Sequence, residues 1–188
     1  MSPKEAKGAC LSGDTSPDCI GIYKVPLDDE ILPYISTAES LNRYAPGLRW
    51  VPPVEYPKTY REAKEELPGL REKCAGLDGL VLRGDLTAAG ITVLDIIPRL
   101  TVGGSVMIQE LQNAKRTSGS PDYSLRALRM EGALSELLVK LNQIDIQLGQ
   151  ALRGELGSLT VAQIEILPDV KEASTLFDDY FSAVPTDY

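Results

Sequence analysis

The chain has 188 residues, 43% hydrophobic and 24% charged, and carries a formal net charge of −8. That size and composition suit one globular domain with an appendage, large enough to bury a core without disulfide or metal staples. The acidic balance excludes a protein built to grip nucleic acid or a generic anionic membrane surface. Both need clustered Lys and Arg, and Lys115-Arg116 is a pair, not a patch.

Residues 1–57 hold eight of the thirteen prolines, at positions 3, 17, 26, 33, 46, 52, 53 and 57. Proline removes a backbone donor and pushes its predecessor out of the helical region, so this segment reads as an extended arm with turns. One short helix fits, from a Ser36-Thr37-Ala38-Glu39 capping box to about Tyr44, before Pro46-Gly47. Short strands over 20–25 or 51–56 are the most the arm offers in β structure. Cys10 and Cys19 bracket a Gly-, Ser- and Asp-rich loop and form a candidate disulfide, with unpaired thiols as the alternative. Disordered tails are poor in large apolar residues. This arm instead carries Tyr23, Tyr34, Tyr44, Trp50 and Tyr56, five of the eleven aromatics in the chain. Such side chains need a surface to be buried against, either the protein's own bundle or a partner.

Residues 58–188 change to helical periods. A capping box at Thr59-x-x-Glu62 opens a stripe of Tyr60, Ala63, Leu67, Leu70, Cys74 and Leu77, with Pro68-Gly69 predicting a kink inside it. A second helix starts after Asp78 or Asp85 and runs to about Ala114. Its core candidates are Leu86, Ala89, Val93, Leu94, Ile97, Leu100, Val106, Met107 and Leu111, and Pro98 and Gly103-Gly104 predict a bend. The most apolar stretch, 91–100, is interrupted by Asp95 and Pro98, short of the roughly 18–20 residues of a membrane span. Ser120-Pro121 starts a third helix reaching about Leu152, with Leu125, Leu128, Ala133, Leu134, Leu137, Leu138, Leu141, Ile144, Leu148 and Leu152 as its apolar stripe. Thr160-x-x-Gln163 opens a fourth, bent at Pro168 and stopped by Pro185. Its inward set is Val161, Ile164, Leu167, Val170, Ala173, Leu176, Phe177, Tyr180, Phe181 and Val184. Short loops between long helices make neighbours antiparallel. The expected fold is all-α: an up-down-up-down four-helix bundle with bent helices and an extended proline-rich arm.

The chain has no histidine, which removes the commonest neutral-pH base and metal ligand. Ser–His–Asp and Cys–His pairs are excluded. Cys74 falls on an apolar face and reads as a small buried hydrophobe. Adjacent carboxylates such as Asp178-Asp179 point about 100° apart on a helix and do not converge. Val102-Gly103-Gly104-Ser105 lacks the lysine and spacing of a phosphate loop and reads as a close helix approach or a bend. Arg83-Gly84-Asp85 matches an integrin-binding tripeptide, but Asp85 serves equally as an N-cap. Asp95 and Arg99 have the spacing of an i,i+4 ion pair. No catalytic residue, metal ligand or cofactor site is expected.

A proline-rich arm ending at Val51-Pro52-Pro53, followed by a histidine-free up-down bundle, resembles the PsbQ-type extrinsic proteins of photosystem II. Cys19-Ile20-Gly21-Ile22-Tyr23-Lys24-Val25-Pro26 and Arg83-Gly84-Asp85-Leu86-Thr87-Ala88-Ala89-Gly90 are similar to segments of small nucleus-encoded chloroplast proteins of red-lineage algae. The resemblance implies a non-catalytic, cofactor-free subunit peripheral to the thylakoid membrane, on its lumenal side or alternatively its stromal side. Such a subunit has no transmembrane segment of its own. It braces photosystem core or antenna subunits through the arm and a bundle face. The Cys10–Cys19 loop and the bends at Pro68, Pro98 and Pro168 depart from that pattern and leave room for another accessory subunit, including one of photosystem I. A different class, a soluble carrier, would hold pigment or lipid in a cavity lined by Val93, Ile97, Met107 and Leu141.

Overall fold

A computed structural model describes residues 56–118, 122–186 and 188, without the side chains of 115–118 and 122. The candidate disulfide, the arm aromatics other than Tyr56, the short helix at 36–44 and nearly all of both strand candidates lie outside these residues. The described chain is helical: α1 (Tyr60–Ala75), α2 (Leu77–Leu82), α3 (Leu86–Ser118), α4 (Asp122–Leu152) and α5 (Leu159–Ala183), with no strand among the described residues.

Four of these helices form an up-down-up-down bundle of square section. The order round the section is α1, α3, α4, α5, and α5 closes back on α1. The pairing is antiparallel throughout. Glu66 meets Arg99 across α1–α3, a β-carbon on Gly104 of α3 would meet Leu134 of α4, Lys140 meets Asp169 across α4–α5 and Arg71 meets Asp178 across α1–α5. At about 1.5 Å per residue, α1 covers only about half the length of α3. It lies along the middle of α3, with Tyr60 beside Glu110 and Lys73 beside Asp95, and α2 packs on α3 beyond it.

Thr59 caps α1 as expected, its side-chain oxygen accepting from the Glu62 N–H at 3.2 Å. The return bond of the box reaches one residue further, with Glu62 Oε2 accepting from the Lys58 N–H at 2.7 Å. The helix does not carry its stripe on to Leu77. It ends at Ala75 and the chain restarts as α2, which closes in a turn where Gly84 has φ +76° and the Asp85 N–H donates to the Leu80 carbonyl at 3.0 Å. Asp85 then caps α3, accepting from the Ala88 N–H at 3.2 Å. The RGD tripeptide is thus a helix-stop, helix-start junction. α1, α3 and α5 run on as helix through Pro68, Pro98 and Pro168, because burial of an apolar face outweighs one missing N–H bond per helix. The N-cap of α5 is Ser158, accepting from the Val161 N–H at 3.4 Å, so that helix starts one residue before the Thr160 box.

The core is apolar along its length, and Asp145 is the one buried charged side chain among the described residues. Gly103 and Gly104 stand where helices converge. A β-carbon on Gly103 would lie 3.4 Å from both Ala63 Cβ and Pro57 Cγ, while one on Gly104 would collide with Leu134 and lie 3.3 Å from the Tyr180 hydroxyl. The close-approach reading of that glycine pair is the one the packing supports.

Two stripes come out rotated. At the start of α4 the buried residues are Ala127 and Met130, while Leu125 and Leu128 are 47% and 64% exposed. At the start of α5, Ala162 and Ile166 are buried, while Val161 and Ile164 are 44% and 66% exposed. Leu152 is exposed as well, and Val106 is half-buried. Where helices sit closest, a small residue such as Ala fits the seam, and the bulkier leucine one position away is turned to solvent.

Candidate docking surfaces

The chemistry-bearing residues resolve into structural roles. Cys74 is buried on the α1 face, and its thiol is pushed up to about 12 by burial, with the Asp178 carboxylate adding to it. It is therefore neither a thiolate nucleophile nor a ready ligand. Asp178 binds Arg71 at 2.7 Å and Glu65 binds Arg61 at 2.9 Å. The Asp95–Arg99 pair exists at 3.4 Å, but each member has a closer partner on α1: Lys73 for Asp95 at 2.6 Å and Glu66 for Arg99 at 3.0 Å. No group of three or more Cys, Asp or Glu gathers in a metal-holding arrangement among the described residues. Val93, Ile97, Met107 and Leu141, the proposed lining of a carrier cavity, are all buried in the common core.

The strongest polar junction joins α4 to α5. Lys140 Nζ donates to Asp169 Oδ1 at 3.0 Å and to Gln143 Oε1 at 3.0 Å, and lies 2.9 Å from Glu172 Oε2. Gln147 Nε2 donates to the other Asp169 oxygen at 2.8 Å. Hydrogen bonds to Glu172 and Asp169 raise the Lys140 pKa. Partial burial works to raise that of Asp169, but the bonds from Gln147 and Lys140 outweigh it and hold the carboxyl below its ordinary value. These groups tie α4 to α5.

At the end where α1 begins, aromatics gather. Tyr60 donates its N–H to Glu110 Oε1 at 3.1 Å and its hydroxyl to the Pro185 carbonyl at 2.9 Å. Its ring lies 4.6 Å from that of Tyr188, which in turn meets Tyr123 at 5.6 Å. Tyr56, the one arm aromatic described, is half-buried here, next to the buried Pro57. Tyr56 and Pro57 lead directly into α1 at this end.

Among the described residues, two groups of exposed apolar side chains bear on docking. One is at the opposite end, where Leu82 is 61% and Leu159 50% exposed. Leu159 lies over Gly84, and the Gln163 amide donates to the Val81 and Leu82 carbonyls at 2.8 and 3.1 Å, so the first turn of α5 is fixed onto the end of α2. The other runs along the outer line of α4, opposite its core face: Leu125, Leu128, Gly132, Ser135, Val139 and Ile146, all exposed. Sequence reasoning placed Leu125 and Leu128 in the core and passed over Val139 and Ile146. A spacing of 3 and 4 residues through Leu125, Leu128, Gly132, Ser135 and Val139 was the available signal, masked by the stronger stripe on the other side of the same helix.

α3 between Leu86 and Ala114 is the one described helix long and apolar enough, by length and composition, to cross a membrane, and half of its 18-residue apolar window is buried within the bundle. No family model matches the chain, and neither a curated protein nor a solved structure matches it.

Proposed function

We propose that this protein is a non-catalytic accessory subunit whose bundle and arm bind and brace a larger assembly. The PsbQ-type resemblance makes a photosynthetic membrane complex the assembly to test. The observation that carries the reading is an uneven surface on a bundle built round one apolar core. Among its exposed apolar side chains are Leu82 and Leu159 at the junction of α2 and α5, Val161 and Ile164 on the outward side of the first turns of α5, and Leu125, Leu128, Val139 and Ile146 on the outer line of α4. Single exposed leucines need no explanation, but grouped ones mark contact surfaces. The aromatic arm that precedes α1 in the sequence adds a third apolar element.

The test is native electrophoresis of the intact protein with solubilised photosynthetic membranes. Co-migration with a chlorophyll-bearing band is expected, lost on removal of residues 1–55 and weakened by Leu82→Glu or Ile164→Glu. Removing 1–55 keeps Tyr56 and Pro57 in place on the bundle. Migration apart from every pigmented band would remove the photosystem assignment, and association unchanged by the truncation would remove the anchoring role of the arm.

A further inference from the structure

We propose that the outer face of α4 is a self-association surface, on which a second copy of this chain docks antiparallel about a two-fold axis near Gly132. Three features of the face combine. The first is its line of apolar and small residues, Leu125, Leu128, Gly132, Ser135 and Val139, in which Leu128 is 64% and Val139 68% exposed. These positions follow the alternating 3,4 spacing of a helix–helix seam, and they lie opposite the face already used for the core.

The second feature is Gly132. It sits inside the helix with nothing within 4 Å of where a β-carbon would stand. Glycine in an exposed helix interior costs about 1 kcal/mol relative to alanine, and no neighbour within the bundle requires it. A partner helix crossing at this point does, because the lack of a side chain lets two backbones approach.

The third is charge, and it selects a second copy as the occupant. Arg129 and Glu136 flank the apolar line on the same side, seven positions apart, and both are exposed. Neither side chain is held by an ion pair or hydrogen bond among the described residues, so both are open to a partner. When two copies of α4 cross antiparallel about a point between Gly132 and Ala133, the position of Arg129 on one comes level with Glu136 on the other. The two-fold then makes the pair twice. Leu128 of each copy enters the gap between Ser135 and Val139 of the other. A two-fold contact must be self-complementary in this way, and flanking charges of this kind set partner and orientation in helix–helix seams.

The proposal does not depend on the accessory-subunit reading, since it concerns the purified chain alone. It is tested by sedimentation velocity of the full-length protein over about a hundredfold range of concentration. A reversible monomer–dimer equilibrium is expected. Arg129→Glu or Glu136→Arg alone sets like charges against each other twice and should weaken dimerisation roughly tenfold or more. The double exchange, R129E with E136R, should restore it. Gly132→Leu should abolish the dimer while helicity by circular dichroism is kept, because the monomer has open space at that position. A chain that stays monomeric over the whole range overturns the proposal and leaves the face to a different partner. A dimer indifferent to the single charge reversals, or not rescued by the double one, overturns it too.

Discussion

Two tyrosines on neighbouring helices show how one hydroxyl group can act in opposite senses. The Tyr60 hydroxyl donates to the Pro185 carbonyl at 2.9 Å and ties the segment after α5 to the start of α1. The Tyr180 hydroxyl is buried with no hydrogen-bond partner, and burial raises its pKa, with Tyr60 adding a little. A buried donor without an acceptor keeps its desolvation penalty and gains nothing back. Tyr180→Phe is therefore expected to leave the denaturation midpoint unchanged or raise it, while Tyr60→Phe should lower stability by about 1 kcal/mol. Chemical denaturation of the two variants side by side separates these outcomes. A clear loss of stability in Tyr180→Phe would reveal a bond to that hydroxyl. Gly104 gives a second contrast. Its β-carbon would run into Leu134 whereas that of Gly103 finds only ordinary contact, so Gly104→Ala should cost about 1–2 kcal/mol and Gly103→Ala little or nothing.

At the scale of elements, the question is which face of each helix the core takes. In α4 the seam is Ala127, Met130, Leu134, Leu137, Leu141, Ile144 and Leu148, with Leu125 and Leu128 outside it. Met130→Ala should cost about 2–4 kcal/mol, as for other truncations in a filled core. Leu128→Ala in the monomer should stay within about 0.5 kcal/mol. Equal losses at the two positions would mean that α4 is rotated from the face described. The α4–α5 junction has its own signature in pH. The Asp169 pKa is lowered in the folded chain, so its contribution is complete above the ordinary carboxylate range and is lost as pH falls through the lowered value. The Lys140 pKa is raised, so its contribution is complete below the ordinary lysine range and disappears as pH rises through the raised value. Lys140→Met should therefore lower stability at neutral pH by about 1–2 kcal/mol and flatten the fall of stability towards low pH. An acid limb as steep as that of the parent would show that Asp169 does not owe its low pKa to Lys140.

At the scale of the molecule, the bundle closes on itself through α5 against α1, and the half-buried Tyr56 and buried Pro57 lead into α1 at one end. Removing residues 1–55 should leave the cooperativity of unfolding unchanged, because α1–α5 share one core. Loss of cooperative unfolding in that truncation would make the arm part of the core. A cut four residues later takes away Pro57, which packs on Gly103, and Thr59, which caps α1. That truncation should be less stable by about 1–2 kcal/mol.

Much of this architecture is written locally. The helical periods, the Thr59 cap, the break before α4 and the close approach at Gly103-Gly104 follow from short-range geometry and propensity, and so does the all-α, up-down arrangement they impose. The absence of histidine is likewise a property of the sequence alone. What the sequence could not decide was which of two apolar lines a helix buries at its ends. Leu125, Leu128, Val161 and Ile164 are as apolar as the residues that replace them in the core. The choice depends on how close the neighbouring helix stands, and Ala127 and Ala162 win because they let it stand closer. The partners of Asp95 and Arg99 on α1 were equally illegible, since Lys73 and Glu66 come within reach only when α1 and α3 pack antiparallel. The exposed face of α4 belongs to the same class of fact. It exists because tertiary packing used the other side of the helix.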